Sequence, residues 1–326
     1  MSILDGKTVL LTGGTGSFGT EFCRVALAEH KPRAIRVFSR GEAAQERMER
    51  RFSDDRLRFF IGDVRDLKRL ERAMNGANVV IHAAALKIVP KGEYDSEEFK
   101  KTNIDGTLNV IDAALSCKPE KCIFISTDKS VAALNLYGTT KAVAERLWIQ
   151  ANVFRGSQAI PQFSAVRYGN VAFSSGSVVP LFLEQKKTGC LTITSEKMTR
   201  FWLDLETGVN FVISSMEIMK GGEVFIPKLP SVKVTDLAEA IAPDCKYIIT
   251  GIRPGEKLHE ILITEDETRR TIELEDRYII EPAHPFWTED FSVGSPLPEG
   301  FSYASNTNKE WLTVEQLKEM VCKLQS

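Results

Sequence analysis

The chain has 326 residues, 43% hydrophobic and 26% charged, with 42 basic against 44 acidic side chains and a formal net charge of −2. That length can bury a large core and suits two lobes, while the near-neutral balance argues against a nucleic-acid or membrane-surface protein. No apolar run reaches spanning length, and residues 1–14 lack a basic n-region, so neither a membrane span nor a signal peptide is expected. The six cysteines show no Cys-x-x-Cys spacing and the four histidines no His-x-x-x-His, so the expectation is no metal site, no disulfide framework and reduced thiols in a cytoplasm.

Residues 8–12 are a short apolar, β-branched run, read as a buried strand. Gly13-Gly14-Thr15-Gly16-Ser17-Phe18-Gly19 follows, then a helical pattern through about residue 29. Glycines 14, 16 and 19 match the dinucleotide fingerprint, and 13, 16 and 19 match its short-chain dehydrogenase variant. Such glycines allow a tight turn and a close approach of a pyrophosphate, which the helix N-terminus then meets with unpaired N–H groups. A second strand, 34–38, ends in Ser39-Arg40. A basic residue at that point suits a ribose 2′-phosphate, hence NADP, unless Arg40 merely opens the charged helix 42–51. The third strand, 57–61, closes in Gly62-Asp63-Val64, where Asp63 could meet an adenine amino group or cap the next helix.

Residues 78–82 form the fourth strand, which runs into Ala83-Ala84-Ala85, small enough to let a cofactor lie against the backbone. Lys87 just beyond could meet phosphate or the substrate pocket. A helix over 96–116 carries Asn103 at its centre, where a buried amide needs partners. The fifth strand, 121–125, ends in Ser126-Thr127-Asp128-Lys129, and a helix over 137–153 begins Tyr137-Gly138-Thr139-Thr140-Lys141. Tyr137 and Lys141 are four apart and share a helix face, so a cationic Lys141 is expected to lower the Tyr137 pKa and make it a base toward a hydroxyl. Strands and helices alternate to about residue 154, which predicts an α/β fold with a doubly wound parallel sheet. Beyond it, strands are read at 162–167, 191–194 and 223–226, helices at 178–187, 206–219, 234–241 and 311–324, and a charged turn at 251–257 before another short helix. Residues 1–165 are taken as the dinucleotide-binding domain, with 205–230 returning to it, and 166–204 and 231–326 as a smaller substrate-binding lobe.

Taken together, Thr12 to Gly19, Gly62-Asp63-Val64-Arg65-Asp66, His82 to Lys87, Thr102-Asn103-Ile104, Ser126-Thr127-Asp128-Lys129, Tyr137 with Lys141, Val166-Arg167-Tyr168-Gly169-Asn170-Val171, Met198-Thr199-Arg200-Phe201-Trp202 and Ile252 to Glu260 resemble the extended short-chain dehydrogenases. Within that superfamily they resemble most the inverting UDP-N-acetylglucosamine 4,6-dehydratases of the pseudaminic acid type. The Asp128-Lys129 pair marks the subgroup, since retaining hexose dehydratases usually have Asp-Glu there and simple 4-epimerases lack the pair. Three segments depart from the family pattern, at Ile88, at Ala132 and Ala133, and at Phe173 and Ser175, all in stretches expected to flank the sugar.

The resemblance implies that NADP is held by Gly13, Thr15, Gly16, Ser17, Phe18, Gly19, Ser39, Arg40, Asp63, Val64, Ala83, Ala84, Ala85, Lys87, Tyr137 and Lys141. It implies that UDP-sugar is held by Lys87, Asn170, Ser177, Val178, Arg200, Arg253 and Glu256, with the two arginines clamping the diphosphate. In the implied reaction Tyr137 takes the C4 hydroxyl proton as hydride leaves C4, Lys129 removes the C5 proton, Asp128 helps protonate the departing C6 hydroxyl, and Thr127 donates to the C4 oxygen. Hydride then returns to C6. A lysine base needs a depressed pKa, which burial or a second cation could provide. The resemblance also implies a homo-oligomer, from dimer to hexamer. Two other readings stay open: an epimerase or retaining dehydratase on another hexose, and an NADP-binding sensor without catalysis.

Overall fold

The computed structural model describes residues 2–156, 160–172, 177–283 and 294–325. The helices are α1 (Ser17–Glu29), α2 (Glu42–Phe52), α3 (Leu67–Met74), α4 (Val89–Tyr94), α5 (Ser96–Phe99), α6 (Gly106–Cys117), α7 (Leu136–Gln150), α8 (Val178–Lys186), α9 (Leu205–Ile218), α10 (Val234–Ile241), α11 (Glu265–Thr268) and α12 (Val314–Gln325). The strands are β1 (Thr8–Thr12), β2 (Ala34–Ser39), β3 (Leu57–Ile61), β4 (Val79–His82), β5 (Lys121–Ile125), β6 (Gln162–Val166), β7 (Cys190–Ile193), β8 (Thr199–Phe201), β9 (Val224–Pro227), β10 (Ser231–Lys233), β11 (Lys246–Ile249), β12 (Ile261–Ile263), β13 (Thr271–Glu273), β14 (Arg277–Ile280), β15 (Ser295–Pro296) and β16 (Tyr303–Ala304).

One ten-stranded sheet runs β15-β13-β14-β9-β6-β5-β4-β1-β2-β3. Its parallel part, β3-β2-β1-β4-β5-β6, has the order of a doubly wound nucleotide-binding sheet, and the order reverses between β1 and β4. β1 is buried along its whole length, as expected for a continuous apolar run with helices on both faces. β9 adds parallel to β6, and β14 and β13 add antiparallel beyond it. Strands were not expected past residue 231 in this sheet. Tyr278, Ile279 and Ile280 pair with Ile226, Phe225 and Val224, so the segment 271–280 lies on the main sheet and not in a separate lobe. The buried Val9, Leu10, Ile81, Ile123, Phe163 and Phe225 run across this sheet as one core.

A second core gathers Val179, Phe182, Leu191, Ile193, Trp202, Leu237 and Leu317. It is framed by the small sheets β10-β8 and β11-β7 together with α8, α10 and α12. Two elements differ from the expected pattern near the site. Residues 89–94 form a helix, and the expected helix 96–116 is split by the wide turn Lys100–Asp105, with i→i+5 hydrogen bonding, between α5 and α6. Asn103 explains the turn. Its amide bonds the Leu86 N–H at 2.8 Å, the Leu86 carbonyl at 2.9 Å and Thr140 Oγ1 at 3.0 Å, ties a regular helix would not align.

Candidate active site

The glycine loop after β1 is shaped by contact. Gly13 has φ +68°, and a Cβ there would lie 2.8 Å from the Ala84 backbone. A side chain on Gly19 would collide with the backbone of Gly14, so helix α1 can approach β1 only through glycine. Gly16 caps α1 with extended backbone and no side-chain bond, and the first turn holds no acidic residue. The N-terminus of α1 opens onto the loop, where its dipole suits a pyrophosphate. A pocket beside it is lined by Gly13, Ser39, Arg40, Asp63, Val64 and Ala85, among others, and suits the adenosine half of a dinucleotide. Beneath the loop, Thr12 Oγ1 lies 2.7 Å from His82 Nδ1, and His82 Nε2 lies 3.1 Å from Thr107 Oγ1. Thr107 gives its own proton to the Asn103 carbonyl, so His82 is a satisfied, neutral core histidine whose pKa burial pushes down to about 3.

Asp63 lines the pocket and does not cap α3. Its carboxylate is held by Arg65 through Nε at 3.0 Å and Nη2 at 2.7 Å, with Arg40 Nη1 at 3.9 Å. The cap of α3 is Asp66. Arg40 is half exposed on the pocket rim, while Ser39 is buried and its Oγ accepts from Gln45 Nε2 at 3.0 Å.

The proton-transfer groups converge where β5 ends. The Asp128 and Ser126 amides extend the β5–β6 pairing by bonding the carbonyls of Tyr168 and Val166. Asn135 caps α7 by accepting from the Gly138 N–H at 2.8 Å. A side chain on Gly138 would run into the Lys129 carbonyl, so glycine lets α7 press Tyr137 against the Asp128–Ser130 turn. Asp128 is fully buried, and its Oδ1 accepts from Thr127 Oγ1 at 2.8 Å and from Lys129 Nζ at 3.1 Å. Lys129 Nζ also donates to Asn170 Oδ1 at 2.9 Å.

Two electrostatic expectations are corrected. Tyr137 does not have a lowered pKa: burial raises it, against the opposing pull of Lys129 and a hydrogen bond with Thr127. Lys141 is not its partner here. Its Nζ donates to the Ile125 carbonyl at 2.6 Å and lies 3.7 Å over the Phe124 ring, and burial pushes its own pKa down to about 7. Lys129, by contrast, is held above its ordinary value. Burial opposes its charge, but Asp128 and then Glu260 outweigh that cost.

The expected substrate groups are spread around this centre. Lys87 is exposed, with its ammonium pKa lowered by desolvation and by Lys129. Ser177 caps α8 just before Val178, and its buried Oγ has no partner among the described residues. Arg253 and Glu256 lie on a turn docked to the start of α7 by Asn135 Nδ2, which donates to the Gly255 carbonyl at 2.8 Å. Arg253 is exposed, and Glu256 folds back onto the Arg253 N–H. Arg200 departs from its expected clamp role. Its guanidinium bonds the carbonyls of Thr199, Leu258 and Lys257 and lies 3.6 Å from Glu260, stapling β8 to the 257–260 segment. Phe173 and Ser175 lie outside the described residues. Three groups were not expected in the site. Glu260 faces Lys129, Tyr168 sits near Tyr137, and Lys257 Nζ donates to the Asp128 carbonyl at 3.2 Å and to that of Val131. Each stands in a motif of the chain, but nothing local shows that it folds back onto β5.

The family described as polysaccharide biosynthesis protein matches residues 9–282. The chain belongs to this family. Its sheet order is that of a doubly wound, Rossmann-like nucleotide-binding fold. Among its relatives, an inverting UDP-N-acetylglucosamine 4,6-dehydratase of Campylobacter jejuni subsp. jejuni serotype O:23/36 (strain 81-176) is 46% identical over 98% of both chains. A UDP-glucose 4-epimerase of Rickettsia rickettsii (strain Sheila Smith) is 38% identical over 98% of this chain and 96% of that one. The solved structure of Pen from Bacillus thuringiensis superimposes with a TM-score of 0.91 at 37% identity, covering 99% of each chain. Among the described residues, no helix is long and apolar enough to cross a membrane.

Proposed function

We propose that this chain is an NADP-dependent nucleotide-sugar 4,6-dehydratase, a lyase that acts on UDP-N-acetylglucosamine in the cytoplasm and inverts C5. The observation that carries this reading is the buried Asp128-Lys129 pair beside Tyr137 and Thr127 at the end of β5. The near full-length likeness to an enzyme named for that reaction supports it. Gly13, Gly16, Ser17 to Gly19, Arg40 and Ala83 to Ala85 would hold the dinucleotide, and Arg40 on the rim favours a 2′-phosphate. When bound, the nicotinamide supplies one function, to take a hydride from sugar C4 and give it back at C6.

The chain's own groups handle protons. Tyr137 Oη takes the C4 hydroxyl proton, with Thr127 Oγ1 beside it to orient that oxygen. The resulting ketone acidifies C5–H, Lys129 Nζ accepts that proton, and Asp128 donates to the departing C6 hydroxyl. Because Asp128 Oδ1 and Lys129 Nζ are 3.1 Å apart, one proton can pass between them and leave a neutral amine beside a carboxylic acid, the pair the reaction uses. Asn170 holds the amine in place from the other strand end. UDP would lie toward Ser177, Val178 and Arg253, and closed homo-oligomers fit this reading.

A second reading rests on the 38% identity to the Rickettsia enzyme named as an epimerase. Incubation with UDP-N-acetylglucosamine and mass spectrometry separates the two. The expected product is lighter by one water and carries solvent deuterium at C5. An isomer of unchanged mass would establish epimerisation instead. In the same assay Lys129→Ala should still oxidise C4 yet lose no water, and Tyr137→Phe should do neither.

A further inference from the structure

Glu260 lies 131 positions after Lys129 in the chain, yet the two side chains meet. Its Oε1 is 3.8 Å from Lys129 Nζ and 3.6 Å from Arg200 Nε. The backbone is pinned there: Glu260 N–H donates to Ser305 Oγ at 3.0 Å, and the Glu260 carbonyl accepts from the Ser305 N–H at 2.8 Å. Glu260 is 3% exposed, and its Oε2 has no partner among the described residues; the same holds for Asp128 Oδ2. A buried carboxylate oxygen left without a donor is costly, so a Glu placed here for packing alone is a poor choice over a neutral residue. Two carboxyls therefore flank one ammonium, each with an oxygen to spare.

We propose that Glu260 is a positioning residue for the dehydration step, acting through Lys129 as the fixed anion that holds Nζ in place to take the C5 proton. This rests on the dehydratase reading. In the step, Asp128 has first taken a proton from Lys129. The C5–H bond then breaks, its proton forms an N–H bond on Nζ, and its electron pair becomes the C5–C6 π bond. The C6–O bond breaks, and the oxygen leaves as water with the proton from Asp128. The cluster ends as it rested, with Asp128 anionic and Lys129 cationic, so protons balance and no electrons are exchanged with the protein. Lys129 is cationic at rest as well as after the step, so what the pre-placed carboxylate supplies is the position of Nζ as the C5–H bond breaks.

The groups facing Glu260 are Lys129 and Asp128 from the turn after β5, Arg200 from β8 and Lys257 from its own segment, with Tyr137 beyond Lys129. Burial and Asp128 raise the Glu260 carboxyl above its ordinary range, against Lys129, Arg200 and Lys257. Its protonation should therefore set an acid limb on dehydration at a pH above that of an ordinary Glu.

The test uses the full chain. In Glu260→Gln, water loss should slow by roughly tenfold or more while C4 oxidation slows far less, and the acid limb should vanish. Glu260→Asp should restore part of the rate and the limb. Independently of turnover, pH-dependent acylation of Lys129 by a limiting amine reagent, read by peptide mass spectrometry, should shift to lower pH in Glu260→Gln, because the amine has lost a neighbouring anion. An unmoved labelling profile overturns the proposal. Equal slowing of oxidation and water loss with an unaltered pH profile would mean a purely structural role and also overturns it. A shifted labelling profile in a protein whose unmutated form removes no water would instead refute the dehydratase reading while leaving the Glu260–Lys129 coupling intact.

Discussion

Lys141 and Lys129 belong to one site and are shifted in opposite directions, for reasons visible in their neighbours. Lys141 is 3% exposed, and its ammonium has a carbonyl and an aromatic face, so burial dominates and Glu145 offsets it only in part. Lys129 has two carboxylates. The folded pKa of Lys141, about 7, lies below its ordinary 10.5, so between those values the unfolded chain binds a proton that the folded chain does not. Its contribution to stability therefore rises with pH across that window and is unfavourable below it. The expected outcome is that unmutated protein minus Lys141→Met, compared by urea unfolding without cofactor, gains relative stability from pH 7 to pH 10; a flat difference would show that Lys141 is not desolvated. Arg40 supplies a second test at this scale. It is half exposed, so a contact to a 2′-phosphate is worth the lower end of the charged hydrogen-bond range, about tenfold in affinity. Arg40→Asp should lose about that factor for NADP and gain for NAD in fluorescence titrations; equal affinities in the unmutated protein would remove the assignment.

Elements of the first half were readable because the parallel strands are short, mostly apolar runs, three of them ending at Gly13, Gly62 and Ser126. The glycine loop and Tyr137 with Lys141 could be placed from such strand ends alone. Helix α4 and the wide turn at 100–105 could not, because their cause is tertiary. Residues 89–94 contain a proline and a glycine and little apolar period, and they are held as helix by Gly92 lying against Phe99 and by Glu93, which accepts from the Leu136 N–H at 2.7 Å. The segment after the Asp128–Ser130 turn departs from the family pattern in a way that now has a physical reading. Ala132 has φ +43°, in the left-handed region. Asn tolerates that conformation and Ala pays for it. Ala132→Asn should therefore stabilise the protein by about 1 kcal/mol and raise Tm, without changing the site's charges. A lower Tm would mean that the new side chain clashes with the turn.

At the scale of the whole molecule, a buried charge network that no local pattern reveals adds to the β14–β9 pairing in joining the parallel sheet to the last hundred residues. Arg167 follows β6 directly, and its guanidinium bonds Glu145 of α7 at 2.5 Å, Glu267 of α11 at 2.9 Å and the carbonyl of Leu262 in β12 at 2.9 Å. Glu145 in turn accepts from Ser126 Oγ at 2.5 Å, so this network reaches the strand end that carries Asp128 and Lys129. Arg167 and Glu145 are buried, and pairs of this kind are weak evidence for net stability yet costly to break one-sidedly. Arg167→Met should lower unfolding free energy by about 3–5 kcal/mol at neutral pH, since it strands two carboxylates. The pH dependence separates lost charge pairing from lost packing. Burial alone would raise the Glu267 carboxyl, but Arg167 holds it below the ordinary range, so its favourable contribution is present above the unfolded value and is lost as pH falls through the folded one. In Arg167→Met that contribution is gone, and Glu267 gains from protonation instead. The deficit measured by urea unfolding should therefore be largest above about pH 5 and shrink as the pH is lowered. A deficit of the same size at neutral and acidic pH would assign Arg167 to packing and detach the C-terminal segment from the electrostatics of the site.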